Sequence, residues 1–528
     1  MSTKPTIAPL GATFNFTQHV LEINAARPDA LAFIDDQGSL SYGQLAQLVC
    51  QSANALLASG LRREERVLLL MHDQRHWPVG FLGALYAGLV PVPVNTLLTA
   101  DDYAHMLEHS RAQAVLVSGA LLPTLRAALG QSRHEVRQVV VSQPQGPLLE
   151  GEVEFDDFLR PHSTRASPAA TSPDDPAFWL YSSGSTGRPK AALHTHANPY
   201  WTAELYGKRV LGLRANDLCF SAAKLFFAYG LGNALIFPLV AGATTLLMAE
   251  RATPEAVFQR WIGAVGGLQP TVFYGAPTGF AAMLAHPALP SRAAVALRLV
   301  SSAGEALPAQ LGERFRLHFG IDIIDGIGST EMLHIYLSNR PDRVRYGSSG
   351  WPVPGYTIEL RAEDGLSVVP EGELGDLYIQ GPSAALLYWG NRDKSRDTFQ
   401  GHWVKSGDKY TQHSDGSYTY GGRSDDMLKV SGIYVSPFEV ESTLMQHPAV
   451  MEAAVIGVHD AEGLIKSKAY VVLKAGQHTD EAALKAFVKD KLAPYKYPRQ
   501  IAFVHELPKT ASGKIQRFKL RQLDSVDA

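Results

Sequence analysis

Cysteine is scarce in this sequence: Cys50 and Cys219 are the only two in 528 residues. That is too few for a disulfide framework or a cysteine-ligated metal, and the two are too far apart for a redox motif. A reducing cytoplasm fits this usage best. An excess of either charge is also lacking. Lys and Arg number 48 against 51 Asp and Glu, for a net charge of −3 with 19% charged and 46% hydrophobic residues. This is the profile of a soluble globular protein, and no nucleic-acid partner is expected. Nor is there an unbroken apolar run. Trp77 to Ala100 and Phe226 to Met248 carry no charge and reach membrane-spanning length. The first is interrupted by Pro78, Gly80, Gly83, Gly88, Pro91 and Pro93, the second by Gly230, Gly232, Pro238 and Gly242. A short helix, a break and a Val-rich strand account for each, so no membrane partner is expected. Met1 to Phe14 hold one lysine and no apolar core of the secretory kind, which argues against export.

What is present is an alternation. Short apolar runs such as Arg66 to Met71, Ala114 to Ser118, Val139 to Ser142 and Leu297 to Ser301 are separated by stretches with apolar residues at three- and four-residue spacing. This predicts layered α/β structure with largely parallel sheets. Arg160 to Asp175, rich in Ser, Pro, Ala and Thr, reads as a connector. From Gly347 to Tyr420 the texture changes to short strands between Gly/Asp turns, a smaller β-rich unit closing the first domain. After Arg423-Ser-Asp-Asp426 a helix (437–446), strands (450–458 and 468–473) and a helix (479–491) predict a compact α+β domain. Two domains result, 1–424 and 425–528, since the chain is too long for one core.

Four segments carry chemistry. Tyr181-Ser-Ser-Gly-Ser-Thr-Gly-Arg-Pro-Lys190 offers backbone N–H groups, hydroxyls and a cation to an anion. It is not a Walker loop, because Arg188 and Pro189 separate Gly187 from the lysine and Ala191 follows it. A surface turn is the alternative. Asp325-Gly-Ile-Gly-Ser-Thr-Glu331, after the apolar Gly320 to Ile324, places a hydroxyl and a carboxylate at a sheet edge, able to position a phosphate-bound Mg²⁺ or to be a plain turn with an exposed acid. Lys405-Ser-Gly-Asp408 with Tyr420-Gly-Gly-Arg423 pairs an acid that can accept ribose hydroxyls with an arginine, or makes a salt bridge. Leu507-Pro-Lys-Thr-Ala-Ser-Gly-Lys514 presents a lysine beyond a glycine hinge, or is a solvated loop.

Taken together and in order, the four resemble the adenylate-forming (acyl-CoA synthetase) superfamily along almost the whole chain. The resemblance implies ATP-phosphate contacts from Ser182, Ser183, Gly184, Ser185, Thr186, Gly187 and Lys190, and phosphate and Mg²⁺ contacts from Thr330 and Glu331. It further implies a nucleotide site that includes Asp325, Gly326 and Tyr420, ribose binding at Asp408 and Arg423, and a catalytic Lys514. Ser302-Ala-Gly-Glu-Ala306 matches the family's adenine-binding strand end, so Gly304, Glu305 and Ala306 would line the base. By the same resemblance Asp425 is the hinge of the small domain, and Lys429 and Gly432 border a pantetheine channel for coenzyme A. The implied cofactors are ATP, Mg²⁺ and coenzyme A.

The acid partner follows in part from an absence. No Asp or Glu occurs from Lys224 to Met248, where family members that activate amino acids carry an Asp. An uncharged acyl group is therefore expected. Lys224 to Asn233 and Gly328 to Tyr336 resemble benzoate-CoA ligases, which would make Phe226, Ala228, Tyr229, Ile327, Gly328, His334 and Ile335 a flat slot for an aryl ring. Ordinary core packing is the alternative. The resulting expectation is conversion of benzoate, ATP and CoA to benzoyl-CoA, AMP and pyrophosphate in aromatic acid degradation. A 4-hydroxybenzoate or short/medium-chain acyl-CoA ligase is the alternative enzyme, and a non-catalytic nucleotide-binding protein the alternative class. A homodimer is one open option for assembly.

Overall fold

The computed structural model describes residues 7, 9–182, 189–265, 267–424, 426–430, 433–459, 465–492, 496–509 and 515–526. The chain packs as two compact units: 1–346 with 350–357 and 379–404, and 347–349 with 358–378 and 405–528.

The first unit is built on two larger sheets. In one, nine strands run in the order Trp351–Pro352, Ile335–Ser338, Ile323–Gly328, Leu299–Ser302, Val272–Gly275, Leu218–Ser221, Thr244–Leu246, Leu31–Asp35, Gly38–Ser41. The strands from Ile323–Gly328 through Leu31–Asp35 are mutually parallel, and antiparallel strands close both edges. The other sheet is parallel throughout: Val90–Pro93, Arg66–Leu70, Ala112–Ser118, Gln138–Ser142, Glu152–Glu154. Parallel sheets are covered on both faces, so their strands read as continuous apolar runs, which is why they stood out in the sequence. A three-stranded antiparallel sheet joins Leu387–Tyr388, Lys190–Thr195 and Pro176–Ser182.

Both uncharged stretches resolve as expected. Helix His76–Tyr86 leads into strand Val90–Pro93. The second stretch folds as Ala228–Leu231, a π-turn at Gly232–Ile236, helix Phe237–Ala241 with Pro238 in its first turn, and strand Thr244–Leu246. Among the described residues no helix is long and apolar enough to cross a membrane. The core under the nine-stranded sheet is aromatic, with Phe220, Trp261, Phe273, Phe280, Phe315 and Phe319 all buried.

The second unit contains the hairpin in which Asp408 pairs Arg423 and Tyr410 pairs Tyr420. It ends in a sheet where Val450–His459 runs antiparallel to Ile465–Leu473, itself parallel to Gln500–Phe503. Helices Pro437–Leu444 and Glu481–Lys491 pack over this sheet through Val440, Leu444, Leu484 and Val488, all buried. The last strand and a helix at Arg517–Val526 have no counterpart in the sequence reading.

Candidate active site

Three of the sequence-predicted segments leave the carboxyl ends of strands in one parallel sheet. The residues 222–230 follow Leu218–Ser221, Gly304 to Ala306 follow Leu299–Ser302, and Ser329 to Glu331 follow Ile323–Gly328. Ligands of open α/β sheets bind outside these ends, where loops diverge and N–H groups are free to turn outward.

Of the residues expected to contact phosphate, Lys190 and Glu331 lie together. Lys190 opens its strand opposite Ser182. Its Nζ lies 3.7 Å from Glu331 Oε1, donates to Tyr388 Oη at 3.1 Å, and sits 4.4 Å from the centre of that ring. Tyr388 in turn donates to Glu331 Oε1 at 2.5 Å. Burial pushes the Glu331 carboxyl up, but the Lys190 charge and the Tyr388 hydroxyl outweigh it and hold the acid below its usual range. Glu331 is therefore ionised at neutral pH. Ser182 Oγ is buried with no partner among the described residues.

His194, four residues along from Lys190, fixes Thr330 and Glu331 from behind. Its Nε2 lies 2.9 Å from the Thr330 carbonyl and its Nδ1 2.9 Å from Asn198 Nδ2, which also donates to Ala384 O at 3.1 Å. An amide nitrogen can only donate, so Nδ1 accepts and Nε2–H donates. Burial lowers the His194 pKa to about 4, which keeps this neutral tautomer. Ala385 N completes the support by donating to Glu331 O at 2.8 Å.

On the base side Gly304 has φ 96°, a conformation that favours glycine, and a Cβ there would meet nothing within 4 Å. Glu305 Oε2 accepts from Thr278 at 2.8 Å. Asp325 is placed differently from its neighbours: it is 6% exposed, and burial holds its carboxyl well above the usual range. Its Oδ1 has no partner among the described residues. Gly326 and Gly328 are tight against the next strand, where a Cβ would come within 2.7 Å of Leu337 O and 2.5 Å of His334 O respectively.

Of the residues expected to form the aryl slot, Tyr229 packs on the His334 ring and Gly328 lies against the His334 backbone. The His334 ring stacks on Tyr229 at 5.4 Å and 29°, meets Phe237 edge-on at 4.5 Å, and lies 5.4 Å from Tyr206. A Cβ on Gly232 would fall 2.3 Å from His334 Cδ2, so the π-turn glycine lets the ring lie flat. His334 Nε2 is 3.3 Å from Tyr229 O, and burial drives the His334 pKa down to about 3. The imidazole is neutral, Nε2–H donates, and the buried Nδ1 is left with no partner among the described residues. Tyr229 Oη donates to Ser301 at 3.2 Å. Ile335 and Phe226 are buried, the latter against Phe227 at 4.5 Å, while Ala228, Ile327 and Gly328 are half-buried. Leu333, between Glu331 and His334, has φ 64°, an outlier for a bulky side chain that turns the chain from the acid to the imidazole.

In the second unit Arg423 Nη1 lies 3.3 Å from Asp408 Oδ1 and also 3.3 Å from Ser406 O. Gly407, with φ 79°, leaves room for the guanidinium: a Cβ would meet Arg423 Nη2 at 2.9 Å. Tyr420 packs edge-on against Phe438 at 4.8 Å, and burial, then the Asp408 charge, pushes its hydroxyl pKa up. Lys429 lies on strand Leu428–Val430, paired with Tyr434. Ser183, Gly184, Ser185, Thr186, Gly187, Asp425, Gly432 and Lys514 lie outside the described residues.

The sequence reading missed Tyr388, His194, Gly232 and Phe237. Tyr388 carries no motif and meets Lys190 from 198 positions away. His194 did leave a signal, a polar side chain at a fully buried position directly after the apolar Ala191-Ala-Leu193.

With this geometry in view, comparison with known proteins is informative. The chain matches the AMP-binding enzyme family over residues 21–389 and the AMP-binding enzyme C-terminal domain over 439–514. It is 53% identical over 501 residues to a benzoate–CoA ligase of Thauera aromatica, covering 94% of this chain and 93% of that one. A 4-hydroxybenzoate–CoA/benzoate–CoA ligase of Rhodopseudomonas palustris is 46% identical, covering 94% and 91%. Among solved structures, a benzoate CoA ligase from Burkholderia xenovorans LB400 is 57% identical with TM-score 0.89, covering 96% of this chain and 100% of that one.

Proposed function

Because the chain belongs to the AMP-binding enzyme family, we propose that it is an ATP-dependent ligase joining benzoate to coenzyme A through benzoyl-AMP. The observation that carries the choice of acid is the neutral stack of Tyr229 and His334, with no Asp or Glu in the segment Lys224 to Met248 to meet a substrate ammonium. The identity to benzoate–CoA ligases supports it.

A carboxylate is a poor acyl donor because its leaving group would be oxide. In the first half-reaction a benzoate oxygen attacks the α-phosphorus of ATP, the bond from that phosphorus to the β-phosphate oxygen breaks, and pyrophosphate leaves. Lys190, with Ser182, Ser183, Gly184, Ser185, Thr186 and Gly187, holds the β- and γ-phosphates. Gly304, Glu305 and Ala306 line the base, beside Asp325 and Gly326. Asp408 accepts the ribose hydroxyls next to Tyr420 and Arg423. Lys514 meets the charge developing around the α-phosphorus. In the second half-reaction the coenzyme A sulfur, its proton lost, attacks the benzoyl carbon; the C–O bond to phosphate breaks and AMP leaves. Asp425 is the hinge of a small domain comprising 425–528, and Lys429 and Gly432 border the thiol's path.

The residues present suit Mg²⁺. Glu331 is an ionised carboxylate at a sheet edge with the Thr330 hydroxyl beside it, and Mg²⁺ is typically bound by one or two carboxylates plus substrate phosphates. Among the described residues there is no dedicated cluster of three metal-ligating side chains, and this mode of binding needs none. Bound there, the ion would neutralise phosphate charge, while Tyr388 and Lys190 orient the Glu331 carboxylate. A cytoplasmic location fits the two free cysteines.

The unpartnered His334 Nδ1 favours one second reading, because it would accept a hydrogen bond from a ring hydroxyl; hydroxybenzoates are then alternative substrates. The test is carboxylate-dependent exchange of pyrophosphate into ATP with benzoate, 4-hydroxybenzoate, octanoate, acetate and amino acids. Maximal exchange with benzoate is expected. Maximal exchange with an amino acid, or none with any acid, refutes the reading.

A further inference from the structure

The segment that delivers Phe226, Ala228 and Tyr229 is held from outside itself by a carboxylate that neither half-reaction uses. Asp73 lies in the turn between strand Arg66–Leu70 and helix His76–Tyr86 and is 4% exposed. Its two oxygens share the amide N–H of buried Leu225, at 3.1 and 3.3 Å. The adjacent Lys224 reaches the other way, donating to the carbonyls of Met248 and of Glu250, the latter at 2.6 Å. Between these anchors the turn closes on itself. Phe227 N donates to Lys224 O at 3.0 Å, and Gly230 packs so closely over that carbonyl that a Cβ would lie 2.0 Å from its oxygen. The 224–230 turn is thus one rigid piece, and its pose is set where Asp73 and Lys224 grip it.

Burial in this place is unfavourable for both charges. It pushes the Asp73 carboxyl up to about 6, with the Lys224 charge and the Leu225 N–H pulling back, and it lowers the Lys224 pKa against the opposing Asp73 charge. A buried carboxylate that holds a single amide is less favourable there than an apolar residue would be. Its presence calls for a use other than stability.

We propose that Asp73 is a positioning residue for the acid slot: by holding the Leu225 amide it sets the depth and tilt of Phe226 and Tyr229, and so tunes affinity for the carboxylic acid without touching it. The proposal rests on the slot reading above. It is tested by Asp73→Ala and Asp73→Asn, the latter keeping a side-chain oxygen that can accept from Leu225. In pyrophosphate exchange, Asp73→Ala raises the KM for benzoate about tenfold or more while the KM for ATP and kcat at saturating benzoate stay within about twofold; Asp73→Asn recovers most of the loss. KM values that rise together, or no change, overturn the proposal. Hydrogen exchange of the 222–231 peptide gives a readout independent of substrate. Exchange faster in Asp73→Ala and near normal in Asp73→Asn supports the role, and unchanged exchange in both overturns it. Wild-type protein that shows no aryl-carboxylate-dependent exchange refutes the slot reading instead, and the peptide readout still decides what Asp73 holds.

Discussion

Tyr388 bridges two charges that would otherwise meet only across 3.7 Å. Its hydroxyl accepts from Lys190 and donates to Glu331, so Tyr388→Phe removes one donor from Glu331 and one acceptor from Lys190. A hydrogen bond to a charged group contributes about 1.5–3 kcal/mol, so benzoate-dependent exchange should fall roughly ten- to hundredfold, with saturation moved to higher Mg²⁺. An unchanged Mg²⁺ dependence would remove Tyr388 from the cluster. His194 makes a prediction about pH. Its folded pKa, about 4, lies below the ordinary 6.5, so the unfolded chain takes up the proton first and this residue's contribution to stability is lost as pH falls from 6.5 toward 4. Gln at 194 cannot titrate, so the stability gap between parent and His194→Gln should narrow by about 2 kcal/mol from pH 7 to pH 5. Denaturant midpoints at the two pH values measure it; a constant gap would show that His194 takes up its proton in the fold as readily as in the unfolded chain. At this scale Lys190 and Glu331 could be singled out because loop chemistry is local, and the fold brings the two within 3.7 Å, while Ser183 to Gly187 lie outside the described residues. Tyr388 was not, because its value arises only when strand Leu387–Tyr388 pairs with Lys190–Thr195.

Elements with one-sided or uninterrupted apolar patterns were legible almost to the residue. The run Arg66 to Met71 became strand Arg66–Leu70, and the run Ala114 to Ser118 became Ala112–Ser118. Leu297 to Ser301 slipped to Leu299–Ser302, since Leu297 points into the same core from just before the ladder begins. The π-turn Gly232–Ile236 has no sequence signature; the His334 imidazole lies across its first residue, Gly232. Gly232→Ala tests that contact. The added methyl must displace the His334 ring, at a cost of about 1–3 kcal/mol, so the KM for benzoate should rise about tenfold while that for ATP holds. Equal changes in both would indicate general damage to the fold.

For the whole molecule, the separation of two half-reactions is the property to test. Lys514→Ala should lose benzoate-dependent pyrophosphate exchange by roughly 10²- to 10³-fold yet still convert supplied benzoyl-AMP and coenzyme A to benzoyl-CoA. Equal loss of both would contradict the proposed division of labour between Lys514 and the residues around Gly432. The layered α/β class and the α+β character of the C-terminal region were legible from periodicity. The two compact units divide the chain at other positions, with 347–349, 358–378 and 405–424 grouped with the C-terminal residues. The parallel sheet has a further consequence. The strands bearing the acid-side turn and the Ser329–Glu331 turn are three ladder steps apart, Leu218–Ser221, Val272–Gly275, Leu299–Ser302, Ile323–Gly328. At about 4.8 Å per step their ends stand ~14 Å apart, a span fixed by backbone hydrogen bonds and indifferent to side chains. The sheet is a ruler, and substitutions in the turns change side chains while the span between the two strand ends keeps its length.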